Sequence, residues 1–135
     1  MRTLHFGLRV ADLERSLAFY TGVGYDVVGD VPETPLGHLT MLKLPGDEFV
    51  TIELVHDPSE PLTAGPAHFV ITVESMDSTV EALTARGIAV EPPTSPDGSD
   101  TFQTAWIADP DGNRIELVQW PPGHPDGLGD ADWGD

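Results

Sequence analysis

The chain repeats itself in register. Laying His5 over His68, an offset of 63 positions, brings "HFGLRV" at 5–10 onto "HFVITV" at 68–73. With no gap, the same shift carries Leu13 to Met76, Leu17 to Val80, Tyr20 to Leu83, Gly24 to Gly87 and Val27 to Val90. It then superposes "IELV" at 52–55 on "IELV" at 115–118. Low-complexity bias does not produce this, because the matched positions are scattered through otherwise dissimilar sequence. A period of nearly half the chain restricts the fold to two copies of one supersecondary unit.

Each copy reads as strand, helix, then further strands. Residues 4–10 and 67–73 are β-type runs, and Asp12 and Ser75 stand where helix N-caps are expected. Leu13, Leu17 and Tyr20, and in the second copy Met76, Val80 and Leu83, give each helix one apolar stripe. "VVGDV", "HLTMLKL" and "FVTIELV" supply the strands that follow in the first copy; "IAVE", "FQTAWIA" and "RIELVQW" supply them in the second. "ADPDGNR" has the composition of a reversal. The expected fold class is α+β, two modules that each run strand, helix and then three further strands. The modules span 1–56 and 67–120, joined by a proline-containing linker at 57–66 and followed by a flexible acidic tail at 121–135.

Side chains alternate across a strand. His5 therefore shares a face with Gly7 and Arg9, whereas Phe6, Leu8 and Val10 point to the core. His68 likewise lies opposite Phe69, Ile71 and Val73, and Glu53 and Glu116 lie opposite the apolar residues of their "IELV" runs. A repeat maintained only by packing would keep the apolar positions and let the polar face drift. Here histidine and glutamate recur on that face. His5, Glu53, His68 and Glu116 form a candidate metal set suited to divalent Ni, Co, Zn, Mn or Fe, with water completing the shell.

Composition narrows the chemistry further. The absence of cysteine removes disulfides, thiolate catalysis and zinc-thiolate sites. Six Lys and Arg against 23 Asp and Glu give a formal charge of −17. That field repels nucleic acid and anionic lipid, and it favours cations among small-molecule ligands. No apolar run reaches the length of a membrane span, and the opening residues lack a secretory h-region, so the expected location is the cytoplasm.

"LHFGLRVADLERSLAFYT", "TIELV", "AHFVITV" and "DPDGNRIELV" together resemble the vicinal oxygen chelate superfamily of glyoxalases, bleomycin-resistance proteins and dioxygenases, and most closely short bacterial glyoxalase I. The resemblance covers nearly all of residues 1–120 and implies two paired βαβββ modules forming curved mixed sheets around a metal site. It implies a lactoylglutathione lyase-like metalloenzyme with the His, Glu, His, Glu ligand order at His5, Glu53, His68 and Glu116. The implied reaction isomerises the hemithioacetal of a 2-oxoaldehyde such as methylglyoxal, through an ene-diolate. Glu116 is the implied base, with Glu53 its counterpart across one divalent metal, and Arg9 corresponds to the arginine that holds a carboxylate of the thiol. The resemblance also implies a homodimer whose sites lie at the subunit interface, His5 and Glu53 coming from one chain and His68 and Glu116 from the other.

Two departures bear on the substrate. Asp57 stands where relatives often place asparagine, and the loop "EPPTSPDGSD" at 91–100 has none of the basic residues that glyoxalase I uses to bind glutathione. A different thiol or chelating substrate would suit these changes. The alternatives are another enzyme of the superfamily, an epimerase or dioxygenase, and a protein that binds a small molecule or antibiotic. His38, His56, Met41, Phe102 and Trp106 are secondary candidates for the pocket, each weighed against ordinary packing; the tail residues His124 and Trp133 are given no role.

Overall fold

The computed structural model describes residues 4–59, 68–128 and 130–133. Most of the expected linker, residues 60–66, lies outside the described residues. The architecture is α+β, with two separate mixed sheets in two compact units. The first unit comprises residues 1–67 together with Asp109–Asn113; the second comprises His68–Ala108 and Arg114–Asp135.

In the first unit β1 (Phe6–Arg9) leads into α1 (Leu13–Val23), followed by β2 (Asp26–Val31), β3 (His38–Lys43) and β4 (Ile52–His56). The sheet order is β1-β4-β3-β2, with β1 parallel to β4 and the remaining pairs antiparallel. Asp12 caps α1 as its composition predicts, its carboxylate accepting from Arg15 N–H at 3.1 Å. Gly24 closes the helix at φ 130°, a conformation that suits glycine. Gly37 is required on two counts: its φ is 116°, and a Cβ there would stand 2.6 Å from the His56 carbonyl oxygen.

Leu8, Val10, Leu42, Ile52 and Leu54 are buried with Tyr20. Each such side chain, removed from water, contributes about 1.5–3 kcal/mol. The face assignment holds, although Phe6 on the same side is 42% exposed. The α1 stripe is also shifted from expectation: Tyr20 and Ser16 are fully buried, while Leu13 and Leu17 are only half-buried. Ser16 is accommodated because its hydroxyl donates to Asp111 at 3.3 Å. Asp111 and Asp109 belong to the turn read from the sequence as a simple reversal.

The second unit repeats the plan with β5 (His68–Thr72), α2 (Met76–Ala85), β6 (Gln103–Ala108) and β7 (Arg114–Gln119), in the order β5-β7-β6. Ser75 caps α2, accepting from Ser78 N–H at 3.2 Å, and Gln119 receives the Met76 N–H at 2.6 Å. Met76, Leu83, Ala105, Ile107, Ile115 and Leu117 are buried.

The expected strand "IAVE" is absent from this sheet. Instead, the segment follows β6 through three backbone hydrogen bonds, from Glu91 N to Trp106 O and reciprocally between Thr94 and Thr104. Pro92 and Pro93 intervene, and without N–H groups they cannot continue a ladder. The second module therefore contributes βαββ, rather than βαβββ, in regular strands.

In the tail, expected to be flexible, His124 stacks at 4.4 Å on Trp120, the last residue of the second module, and pairs with Asp132; Trp120 in turn stacks on Phe102 at 5.8 Å. That carboxylate bond is the main influence raising the His124 pKa. A short 3-10 helix covers Asp130–Trp133. Among the described residues, no helix is long and apolar enough to cross a membrane.

Candidate functional site

The parallel β1–β4 register pairs Gly7 with Glu53 and Arg9 with Val55. This alternation places Glu53 on the face shared with Arg9 and away from the buried Ile52 and Leu54. His5 immediately precedes β1, and its Nε2 lies 3.1 Å from Glu53 Oε2. The imidazole is 36% exposed and the carboxylate 14% exposed, so the pair opens to solvent from the histidine side. Met41 pairs with Glu53 from β3 and shares its face.

The second unit presents the corresponding residues on its own sheet. Register pairs His68 with Arg114 and Val70 with Glu116, putting His68 and Glu116 on one face of adjacent strands, two positions apart. Ile115 and Leu117 point the other way and are buried. Trp106 pairs with Glu116 from β6 and also lies against the His68 ring, with centroids 5.4 Å apart.

Among the described residues, no group of three or more His, Asp or Glu side chains gathers in a metal-holding arrangement. The structure instead carries two half-sets, His5 with Glu53 in the first unit and His68 with Glu116 on one face of the second. The donor chemistry of the first half-set suits a divalent ion. The observed Nε2–Oε2 separation of 3.1 Å is that of a direct hydrogen bond between the two groups.

His38 and His56 do not join this surface. They pair with each other across β3 and β4 on the face opposite Glu53. His38 bonds Asp30 at 2.9 Å, and His56 Nδ1 lies 3.3 Å from the Val10 carbonyl oxygen. Phe102 stacks on Trp120, 5.8 Å between centroids. Arg9 stands in the field of Asp57, whose pKa is lowered chiefly by the hydroxyl and backbone N–H of Ser59 and further by the Arg9 charge. Sequence reasoning did not find the arrangement around Trp106. Arg114 covers that ring at 4.6 Å and bonds Glu91 at 2.6 Å. Its signal was the alternation that puts Arg114 on the Glu116 face.

Residues 2–117 match the glyoxalase/bleomycin resistance protein/dioxygenase superfamily, and the chain belongs to it. The chain is 31% identical to a lactoylglutathione lyase of Salmonella typhimurium, over 88% of this chain and 93% of that one. It is 32% identical to a probable chloroplastic lactoylglutathione lyase of Arabidopsis thaliana, over 90% of this chain but only 36% of the plant protein. The chain thus spans between 36% and 45% of the plant relatives it matches. Among solved structures, an antibiotic binding protein from Streptomyces sp. CB03234 is similar with a TM-score of 0.69 and 27% identity, over 88% of this chain and 96% of that one.

Proposed function

We propose that the protein is a cytoplasmic, glyoxalase I-like metalloenzyme that isomerises the hemithioacetal of a 2-oxoaldehyde such as methylglyoxal. The observation supporting this reading is the pairing of His5 with Glu53, 3.1 Å apart in the first unit, repeated in type by His68 and Glu116 on the equivalent face of the second unit. In this reading a homodimer completes each site, combining His5 and Glu53 of one copy with His68 and Glu116 of the other. One divalent ion, with Ni, Co or Zn preferred and Mn or Fe also compatible, supplies Lewis acidity toward the substrate oxygens as negative charge develops. The Glu116 carboxylate takes the proton from the carbon bearing sulfur and returns it to the neighbouring carbon. Glu53 faces the substrate from the opposite side.

Stripping the protein with a chelator and titrating back Ni, Co or Zn tests the foundation. One ion per chain is expected, together with a dimer by light scattering. His5→Ala should weaken the ion by well over the roughly 10–100-fold that outer-shell changes cost. Failure of the wild-type chain to bind any of these ions near stoichiometry would sink the enzyme reading. Methylglyoxal offered with a panel of thiols then identifies the substrate.

Arg9 and Asp57 make that panel informative. An ionised Asp57, whose charge acts on Arg9 at a distance, opposes an incoming glutathione carboxylate at that cation. Asp57→Asn should lower the KM for the glutathione adduct by roughly twofold to fivefold, in keeping with a single exposed charge, and leave kcat unchanged. Steady-state kinetics at fixed ionic strength read this; an unchanged KM removes Asp57 as a determinant of the thiol.

The similarity to an antibiotic binding protein supports a second reading, in which the chain holds a small molecule without converting it. Its acidity would then favour a cationic ligand. Such binding would survive chelation, whereas the proposed turnover would not.

A further inference from the structure

His68 stands on an exposed sheet face, where an imidazole has free rotation about two bonds. An aromatic and ionic brace lies beside it in the same unit. The Trp106 ring lies 5.4 Å from the His68 ring between centroids, inclined at 56°. The Arg114 guanidinium covers Trp106, its central carbon 4.6 Å from the ring centroid. Glu91 holds Arg114 through a 2.6 Å bond to Nη2, and Glu91 is itself tied to β6 by its backbone N–H donating to Trp106 O at 2.9 Å. The segment that fails to become a strand because of Pro92 and Pro93 therefore has a position of its own: it delivers a carboxylate to the cation that covers the tryptophan.

We propose that Trp106, held by Arg114 and Glu91, is a positioning residue that orients the His68 imidazole toward the direction of Glu116 and thereby raises divalent-ion affinity. The inference rests on the metal-site reading given above. Its physical basis is twofold. A flat ring against the imidazole restricts the rotamers that His68 samples, so less freedom is lost when the nitrogen engages an ion. The guanidinium over Trp106 keeps that ring from turning away, by attraction to its π face. Trp106 is also the direct cross-strand neighbour of Glu116, so one side chain borders both members of the half-set. A purely structural tryptophan would be needed for stability without influencing an ion bound beside it.

Competition for Co(II) or Zn(II) against a chromophoric chelator reads the affinity of the intact protein without turnover. Trp106→Ala should weaken the ion about tenfold, the scale typical of residues that orient metal ligands. Trp106→Phe, which keeps a ring against His68, should restore affinity to within about threefold of wild type. Glu91→Gln, an exposed change that keeps the tryptophan but loosens the guanidinium covering it, should weaken the ion by roughly threefold and provides the decision if Trp106→Ala does not fold. Unchanged affinity in folded Trp106→Ala, or in Glu91→Gln where Trp106→Ala is unfolded, overturns the brace while the metal-site reading stands. Absence of binding by the wild-type chain overturns both.

Discussion

Replacing Glu116 with glutamine should lower kcat for the hemithioacetal isomerisation by about 10²–10⁴-fold when the ion is saturating. The amide has the shape of the carboxylate but cannot accept a proton from carbon, so a loss of this size identifies a base rather than a shape-filling residue. The strand sets its position: Ile115 and Leu117 are at most 1% exposed and fix β7, while Glu116 emerges on the other face between Val70 and Trp106. Because glutamine is also a weaker ligand, the assay must be run across ion concentrations; affinity and kcat then separate. The melting temperature should stay near that of wild type, since the side chain is only half-buried and the amide keeps its shape. Activity within tenfold of wild type at saturating ion would remove Glu116 as the base and transfer attention to Glu53.

The parts of this site legible in the sequence were those governed by period. Alternation along "HFGLRV" and "IELV" assigned His5, Glu53, His68 and Glu116 to polar faces, and the register Gly7 with Glu53 and Val70 with Glu116 has that parity. The caps Asp12 and Ser75 were legible for the same local reason, since a side-chain oxygen before a helix meets donors only two or three residues away. What pattern could not supply was anything settled between distant residues. "IAVE" has the composition of a strand, but Pro92 and Pro93 immediately follow and limit its pairing with β6. Ser16 interrupts no apolar stripe that a sequence reading would notice, yet it is fully buried because Asp111, 95 residues later, accepts its hydroxyl. The brace on His68 needs Glu91, Trp106 and Arg114 from three different segments, and its pairings appear only once β6 and β7 are in register.

Asp109→Ala should destabilise the protein by about 3–4 kcal/mol. "DPDGN" looks like a reversal chosen for Pro and Gly, but its first residue is a buried acceptor at only 5% exposure. Asp109 receives the Tyr20 hydroxyl at 2.7 Å, the Asn113 amide side chain at 2.9 Å, and the backbone N–H groups of Asn113 and Asp111 at 2.8 and 3.0 Å. Alanine would remove the acceptor that these four donors share, and Tyr20 is fully buried. Burial first, and the hydrogen bond and charge of Asp109 next, push the Tyr20 pKa upward, so the phenol keeps its proton and remains a donor throughout the working pH range. Tyr20→Phe provides the graded control. It removes one donor but leaves the same carboxylate oxygen bonded to Asn113, and should cost about 1–1.5 kcal/mol. For a chain of this size the alanine variant should melt roughly 10 °C lower, with Tyr20→Phe between it and wild type. Chemical denaturation checks that the midpoint moves without a change in slope. A melting temperature within about 2 °C of wild type would mean that water replaces the carboxylate, and that the turn is held to α1 by Asp111 through Ser16 and the Ala11 N–H instead.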